Sequence, residues 1–136
     1  MTHQTLTPRS LPIQLLVYRR GPLPPRATVE LAMALVQALR KGRLVTDPSQ
    51  VAVAPDGALE LTGYRLSKSE TGDAAIRTLL DLVLALGHPT PQLADIAASP
   101  PKTLARLTDD LRYAGICARR LHHSGLESWL VREHAA

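Results

Sequence analysis

SLPIQLLVYRRGPLPPRATVELAMALVQAL (10–39), followed by VTDPSQVAV (45–53) and the overlapping stretch VAVAPDGALELTGYRLS (51–67), is the segment whose reading decides the fold. Ser10 is placed to cap a short helix through Leu11, Leu15 and Leu16, with Pro12 in the first turn, where a missing amide costs nothing. Gly21 and the prolines of GPLPP (21–25) stop that helix. From 28 to 39, apolar residues recur at Val29, Leu31, Ala32, Leu35, Val36 and Leu39, the spacing of a helix with one face inward. Arg40 and Lys41 favour its C-terminal end and Gly42 stops it. Two short apolar segments, Val51–Val53 and 58–61, flank Pro55, Asp56 and Gly57, and Asp-Gly between such segments signals a hairpin turn.

Working outward, the polar stretch SKSETG (67–72) separates the halves, and Asp73 is placed to cap a second long helix, AAIRTLLDLVLALG (74–87). Its apolar positions, Ile76, Leu79, Leu80, Leu82, Val83, Leu84 and Leu86, are broad enough to bury most of it. Gly87, Pro89 and Pro91 end it. Residues 1–9 are polar and expected to be flexible, which leaves one domain over 10–136, divisible into a helix-hairpin unit (10–67) and a helical or winged-helix unit (73–136).

Composition agrees with a globular chain whose core is aliphatic: 136 residues, 45% apolar and 21% charged, with 3% aromatics and no Phe. No apolar run has the roughly 18 residues needed to span a bilayer, and MTHQTLTPRS lacks a signal core, so a cytoplasmic protein without a membrane partner is expected. A lone Cys117 fits a reducing compartment and reads as a small apolar residue. The net charge of +4 permits an acidic partner without requiring one. The positive charge is uneven: 112–123 hold Arg112, Arg119, Arg120, His122 and His123 with no acid, just after Asp109 and Asp110. A solvated basic face is the simplest reading.

The segments of 10–67 resemble, in order, the larger (C-terminal) lobe of a bacterial serine/threonine protein kinase. In that family a short helix, a turn like GPLPP and a long apolar helix lead into the catalytic loop His-Arg-Asp-x-x-Pro-x-Asn, whose Asp orients the substrate hydroxyl and whose Asn helps hold magnesium. Here the corresponding stretch is Val45, Thr46, Asp47, Pro48, Ser49 and Gln50. If the loop has lost two residues, Asp47 takes the place of the catalytic Asp and Gln50 that of the Asn; with no deletion, Val45 takes the Asp's place. Gly63, Tyr64 and Arg65 stand where the family has Asp-Phe-Gly, and a glycine offers magnesium no oxygen. No glycine-rich loop or Val-Ala-Ile-Lys strand precedes the GPLPP turn, and 67–72 replace the long peptide-binding segment. The helix ending at Leu86 and the following GHPTP resemble the buried helix and Gly-x-Pro exit that come next in the family.

The resemblance therefore implies a mainly α fold with a small β-hairpin, and a pseudokinase: no enzyme activity, no nucleotide, no metal and no cofactor. The degenerate positions are Asp47, Gln50 and Gly63. Such a module would act in regulation through a protein partner or a second copy of itself. A lobe that once packed against another leaves apolar residues at the hairpin and the GPLPP turn, so Tyr18, Leu23, Tyr64 and Leu66 are the interface candidates.

The second half also resembles the winged helix-turn-helix of bacterial transcription regulators, an α+β alternative that binds DNA. Residues 92–97 would be its first helix, Ala98 and Ser99 the turn, and a second helix would run from Pro101 to Gly115, with Leu104, Leu107 and Leu111 inward. Lys102, Thr103 and Arg106 would read base edges. Residues 116–121 and 128–131 would form wing strands that bring Arg119, Arg120 and His123 to phosphates. Against this, Asp109 and Asp110 would face a polyanion, and Ser124 with Glu127 forms a capping box that favours helix over wing. His122 and His123 diverge as neighbours and make a poor metal pair. Trp129 reads as a core or interface anchor.

Overall fold

The computed structural model describes residues 9–66 and 72–135, so the connector 67–71 and all but Arg9 of the segment 1–9 expected to be flexible lie outside the described residues. Its elements run β1 (Leu11–Pro12), α1 (Ile13–Arg20), α2 (Pro25–Arg40), β2 (Arg43–Leu44), a 3-10 turn (Pro48–Gln50), β3 (Val51–Val53), β4 (Leu59–Leu61), β5 (Arg65–Leu66), α3 (Asp73–Leu86), α4 (Pro91–Ala98), α5 (Leu104–Leu121) and α6 (Leu126–Ala135). The fold is mainly helical, with a three-stranded antiparallel sheet in the order β1-β3-β4 and a separate antiparallel pair, β2-β5.

Helix α2 is the centre, packed against α3, α5, α6 and β2. Pro25 at its first position supplies the preset φ and needs no hydrogen-bond acceptor. Ala27, Val29, Leu31, Ala32, Val36 and Leu39 are all at most 1% exposed. The buried face also carries one polar group, Thr28, whose hydroxyl lies 2.9 Å from the Pro24 carbonyl oxygen and 3.2 Å from that of Leu23. Each carbonyl takes the hydroxyl as a second donor, since the Pro24 carbonyl also accepts from Thr28 N and the Leu23 carbonyl from His88 N, both at 2.9 Å.

Leu23 joins the two halves. Its amide donates to the Leu86 carbonyl at 2.9 Å, and its own carbonyl accepts from His88 at 2.9 Å, a bridge that seats the end of α3 on the start of α2. Gly87 sits at the closest point. A Cβ there would stand 2.2 Å from Thr28 Oγ1 and 2.7 Å from Leu23 Cβ.

Four local expectations are corrected. Ser10 does not cap α1: Leu11 and Pro12 pair with Val53 and Ala52 as an edge strand, where proline is tolerated, and Ser10 Oγ donates to Glu60 instead. Asp73 is the first residue of α3 rather than its cap, which is Gly72. Leu84 points outward at 36% exposure, because the helix is covered on one side only. The wing strands are absent: α5 continues through Gly115 to Leu121, and α6 occupies the second wing position. The helix continues because Leu107, Leu111, Ala114 and Ala118 keep one buried face against α2, and Gly115 lets Met33 approach.

The hairpin is as read, with Asp56 Oδ1 accepting from Ala58 N at 3.0 Å and Gly57 at φ +85°. Trp129 is the anchor expected near the chain's end, only 4% exposed.

One tie closes the α5–α6 corner onto α2. Arg26 Nη1 donates to the His122 and His123 carbonyls at 3.1 and 3.0 Å, and Glu30 Oε1 accepts from Leu126 N at 2.8 Å. A cation thus meets the end of one helix and an anion the start of the next, the signs that helix dipoles favour. The Arg26–Glu30 contact itself, 3.5 Å at Nε, is electrostatic without a formed hydrogen bond. Gly125 makes the approach feasible, since a Cβ would come within 2.5 Å of Glu30 Oε1.

Gly87→Ala is expected to destabilise the chain by about 1–3 kcal/mol, as overpacking against fixed backbone does, measurable by urea unfolding. Glu30→Ala is expected to cost about 1–2 kcal/mol through the lost cap, and hydrogen exchange at the Leu126 amide should accelerate. Unchanged exchange there would disprove the role given to Glu30.

Candidate functional site

The positions singled out as degenerate kinase positions come together. β2 pairs with β5 (Arg43 with Leu66, Leu44 with Arg65), and β3 pairs with β4 (Val51 with Leu61). These two short ladders hold the turn 62–64 over the turn 45–50. Thr62 N donates to the Gln50 carbonyl at 2.7 Å, and Thr62 Oγ1 lies 3.3 Å from the Ser49 carbonyl. At Gly63 an added Cβ would stand 3.3 Å from Gln50 Nε2.

The polar groups of this cluster are spent on its own backbone. Gln50 Oε1 accepts from Thr46 N at 3.0 Å and from Asp47 N at 3.2 Å. Asp47 Oδ1 accepts from Ser49 N at 2.8 Å, and with Gln50 it forms a reciprocal capping box. Asp47 before Pro48 reads from sequence as a turn-forming acid, and only the part of Gln50 was missed, although Asp47-x-x-Gln50 is itself the spacing of such a box. The Ser49 hydrogen bonds hold the Asp47 carboxyl below its ordinary 3.8. Asp47 is the one carboxylate in the two turns, and among the described residues no three His, Cys, Asp or Glu side chains cluster to hold a metal.

The interface candidates do not form one accessible patch. Tyr18 is 88% exposed, but Leu23 is fully buried under α3 and is corrected to a core residue. Its backbone bridge to Gly87 explains why. Tyr64 is half-buried, with the Arg43 guanidinium 5.3 Å from its ring centroid, a cation–π contact. The Leu66 side chain lies outside the described residues.

No family model, curated protein or solved structure matches this chain.

For the residues assigned to DNA, α4 and α5 do form a helix pair joined by a short turn, but the two sets of contacts part. Thr103 Oγ1 accepts from Arg106 N at 3.2 Å as the cap of α5, and Arg106 pairs with Asp110 at 3.3 Å. Lys102 is exposed in the turn. Arg119 and Arg120 lie on the same helix as Arg106, about 20 Å further along it by helical rise. His123 follows the helix end, and no wing returns these cations toward Lys102.

Concave regions among the described residues lie elsewhere, one of them an open hollow of about 260 Å³ lined by Arg40, Thr108, Asp109 and Arg112. An open groove of about 490 Å³ runs between α2, the hairpin and α6, with Glu30, Asp56 and Glu127 around Leu59 and Leu126. Glu30 and Asp56 are already engaged by the Leu126 and Ala58 amides. A smaller notch of about 70 Å³ lies between α2 and α5, walled by Met33, Gly115 and Ile116 between Arg112 and Arg119. Sequence reading broke α5 at Gly115 and so missed the notch; the unbroken spacing of Leu107, Leu111, Ala114 and Ala118 was the signal that could have found it.

Because the folded state lowers the Asp47 carboxyl, the turn gains support above the ordinary value of 3.8 and loses it as pH falls through the lower folded value. A carboxyl titration followed by NMR should place the Asp47 midpoint below 3.8 and move the Ser49 amide with it. In Asp47→Ala the Ser49 shift should vanish.

Proposed function

We propose that this chain is a non-catalytic, kinase-lobe-like module that regulates by binding another protein. The observation that carries the reading is the convergence of Asp47, Gln50 and Gly63 in one loop cluster whose single carboxylate is engaged by its own backbone. Phosphoryl transfer rests on positioning plus charge neutralisation by magnesium, which is held through one or two carboxylates and the phosphates. A cluster with glycine at one metal position, a backbone-capping Gln50 at the other and the Asp47 carboxylate committed to the same cap supplies neither. The element order supports the kinase-like half of the reading: a short helix, the GPLPP turn, a long buried helix, then β2, the turn, the hairpin and β5. A winged-helix DNA reader has less support, because helix occupies its wing and Arg106 is paired within α5.

The test is nucleotide binding and turnover by the purified chain. The melting temperature should stay within about 1 °C on adding MgATP, since a ligand that does not bind the native state cannot shift unfolding. No label should pass from γ-phosphate to the chain or a generic substrate. Transfer that is lost in Asp47→Ala would overturn the reading. For binding, Tyr18→Asp and Tyr64→Glu should leave the fold intact and weaken capture of the native partner.

A further inference from the structure

Of the six large apolar side chains exposed among the described residues, three lie within nine residues of α5: Tyr113 at 62%, Ile116 at 49% and Leu121 at 72%. Scattered exposed apolar residues need no explanation, but a cluster on one helix does. Helical spacing puts Tyr113, Ile116 and Arg120 on the side of α5 away from Leu107, Leu111 and Ala118, which face the core. Beside Ile116 the helix borders the notch against α2, where Met33 comes so close to Gly115 that a Cβ there would stand 3.2 Å from its Sδ.

The charge around this face is predominantly positive, with Asp109, exposed one turn before Tyr113, as its one acid on α5. Arg112, Arg119 and Arg120 are exposed, and no acid occurs from 111 to 126. Glu30, which also borders the notch, has its carboxylate taken up by Arg26 and the Leu126 amide. Arg112 and Arg119 are seven residues apart, two helical turns or about 10 Å. That is the interval at which a second helix presents residues i and i+7, with residue i+3 or i+4 between them.

We propose that the outward face of α5 and its notch against α2 form the docking site for an acidic amphipathic helix of the partner protein. Acids of that helix seven residues apart pair with Arg112 and Arg119, and one aliphatic side chain between them enters the notch at Met33, Gly115 and Ile116. This rests on the reading of the chain as a binding module and names the partner's chemistry. A second copy of this chain is a poor occupant, since it would bring arginines against arginines. A bilayer or duplex DNA would match the charge but has no single aliphatic side chain to seat in the notch.

The experiment selects random peptides of about 16 residues, roughly four helical turns, displayed on phage against the full folded chain. Enriched peptides should carry paired acids around a Leu, Ile or Met, and labelled copies should bind with an affinity that weakens as salt rises. Ile116→Asp and the double variant Arg112→Glu/Arg119→Glu should each weaken binding at least ~10-fold, with circular dichroism and melting unchanged. Absence of enrichment, enrichment of peptides without acids, or equal binding by the variants would overturn the proposal. So would self-association that the same variants abolish, or phosphatidylserine vesicles or duplex DNA bound as tightly as the peptides. MgATP turnover in the same preparation would defeat the non-catalytic reading alone and leave this surface standing.

Discussion

A helix surrounded by other elements has to be matched by the groups it meets, and the start of α2 is matched in two different ways. At its start the match is steric: Leu23, Thr28 and Gly87 meet so closely that only a residue without a Cβ fits at the end of α3. One turn further on the match is electrostatic. Arg26 satisfies carbonyls at the end of α5 while Glu30 satisfies the first amide of α6. Buried helix termini carry unsatisfied backbone groups that need partners, so these side chains decide where α5 and α6 can turn. The aliphatic core supplies the cohesion, but it is non-directional. The polar and steric matches at the start of α2 set which arrangement the cohesion stabilises.

The turn cluster follows from the same economy of hydrogen bonds. Two ladders of two and three residues place the segments 45–50 and 62–64 in contact. The polar groups of the cluster hold that shape by bonding to local backbone. Gln50 closes the turn with its carbonyl oxygen, Asp47 with its carboxylate, and Gly63 leaves room for the Gln50 amide. Rigid backbone satisfied locally is good scaffolding and a poor metal site. The exposed cations and apolar groups of α5 are the opposite case, since most of them carry no structural duty toward the core.

Much of this architecture was legible along the chain. The apolar spacing of Val29 to Leu39, the run ending at Leu86 and the Asp56-Gly57 turn all report local periodicity or local backbone preference, which neighbours in sequence suffice to express. Thr90 and Thr103 cap α4 and α5, a local signal that the sequence reading passed over when it started the second of these helices at Pro101 and gave Thr103 to base edges. Two other errors share a cause. Ser10 carries a good cap signal that pairing of Leu11 with Val53 overrides, and Gly115 carries a helix-stop signal that a continuous buried face overrides. In both places a long-range contact outweighs a local preference worth about 1 kcal/mol.

What the letters alone determined is a mainly helical chain with one hairpin, because such features depend on residue type and spacing. Only the tertiary structure decided that Leu23 is core, that Arg26 and Glu30 bind carbonyl and amide groups about a hundred residues away, and that α5 keeps an apolar, basic face uncovered. These depend on which surfaces meet across long sequence separations, and exposure is a property of the whole packed chain rather than of any segment.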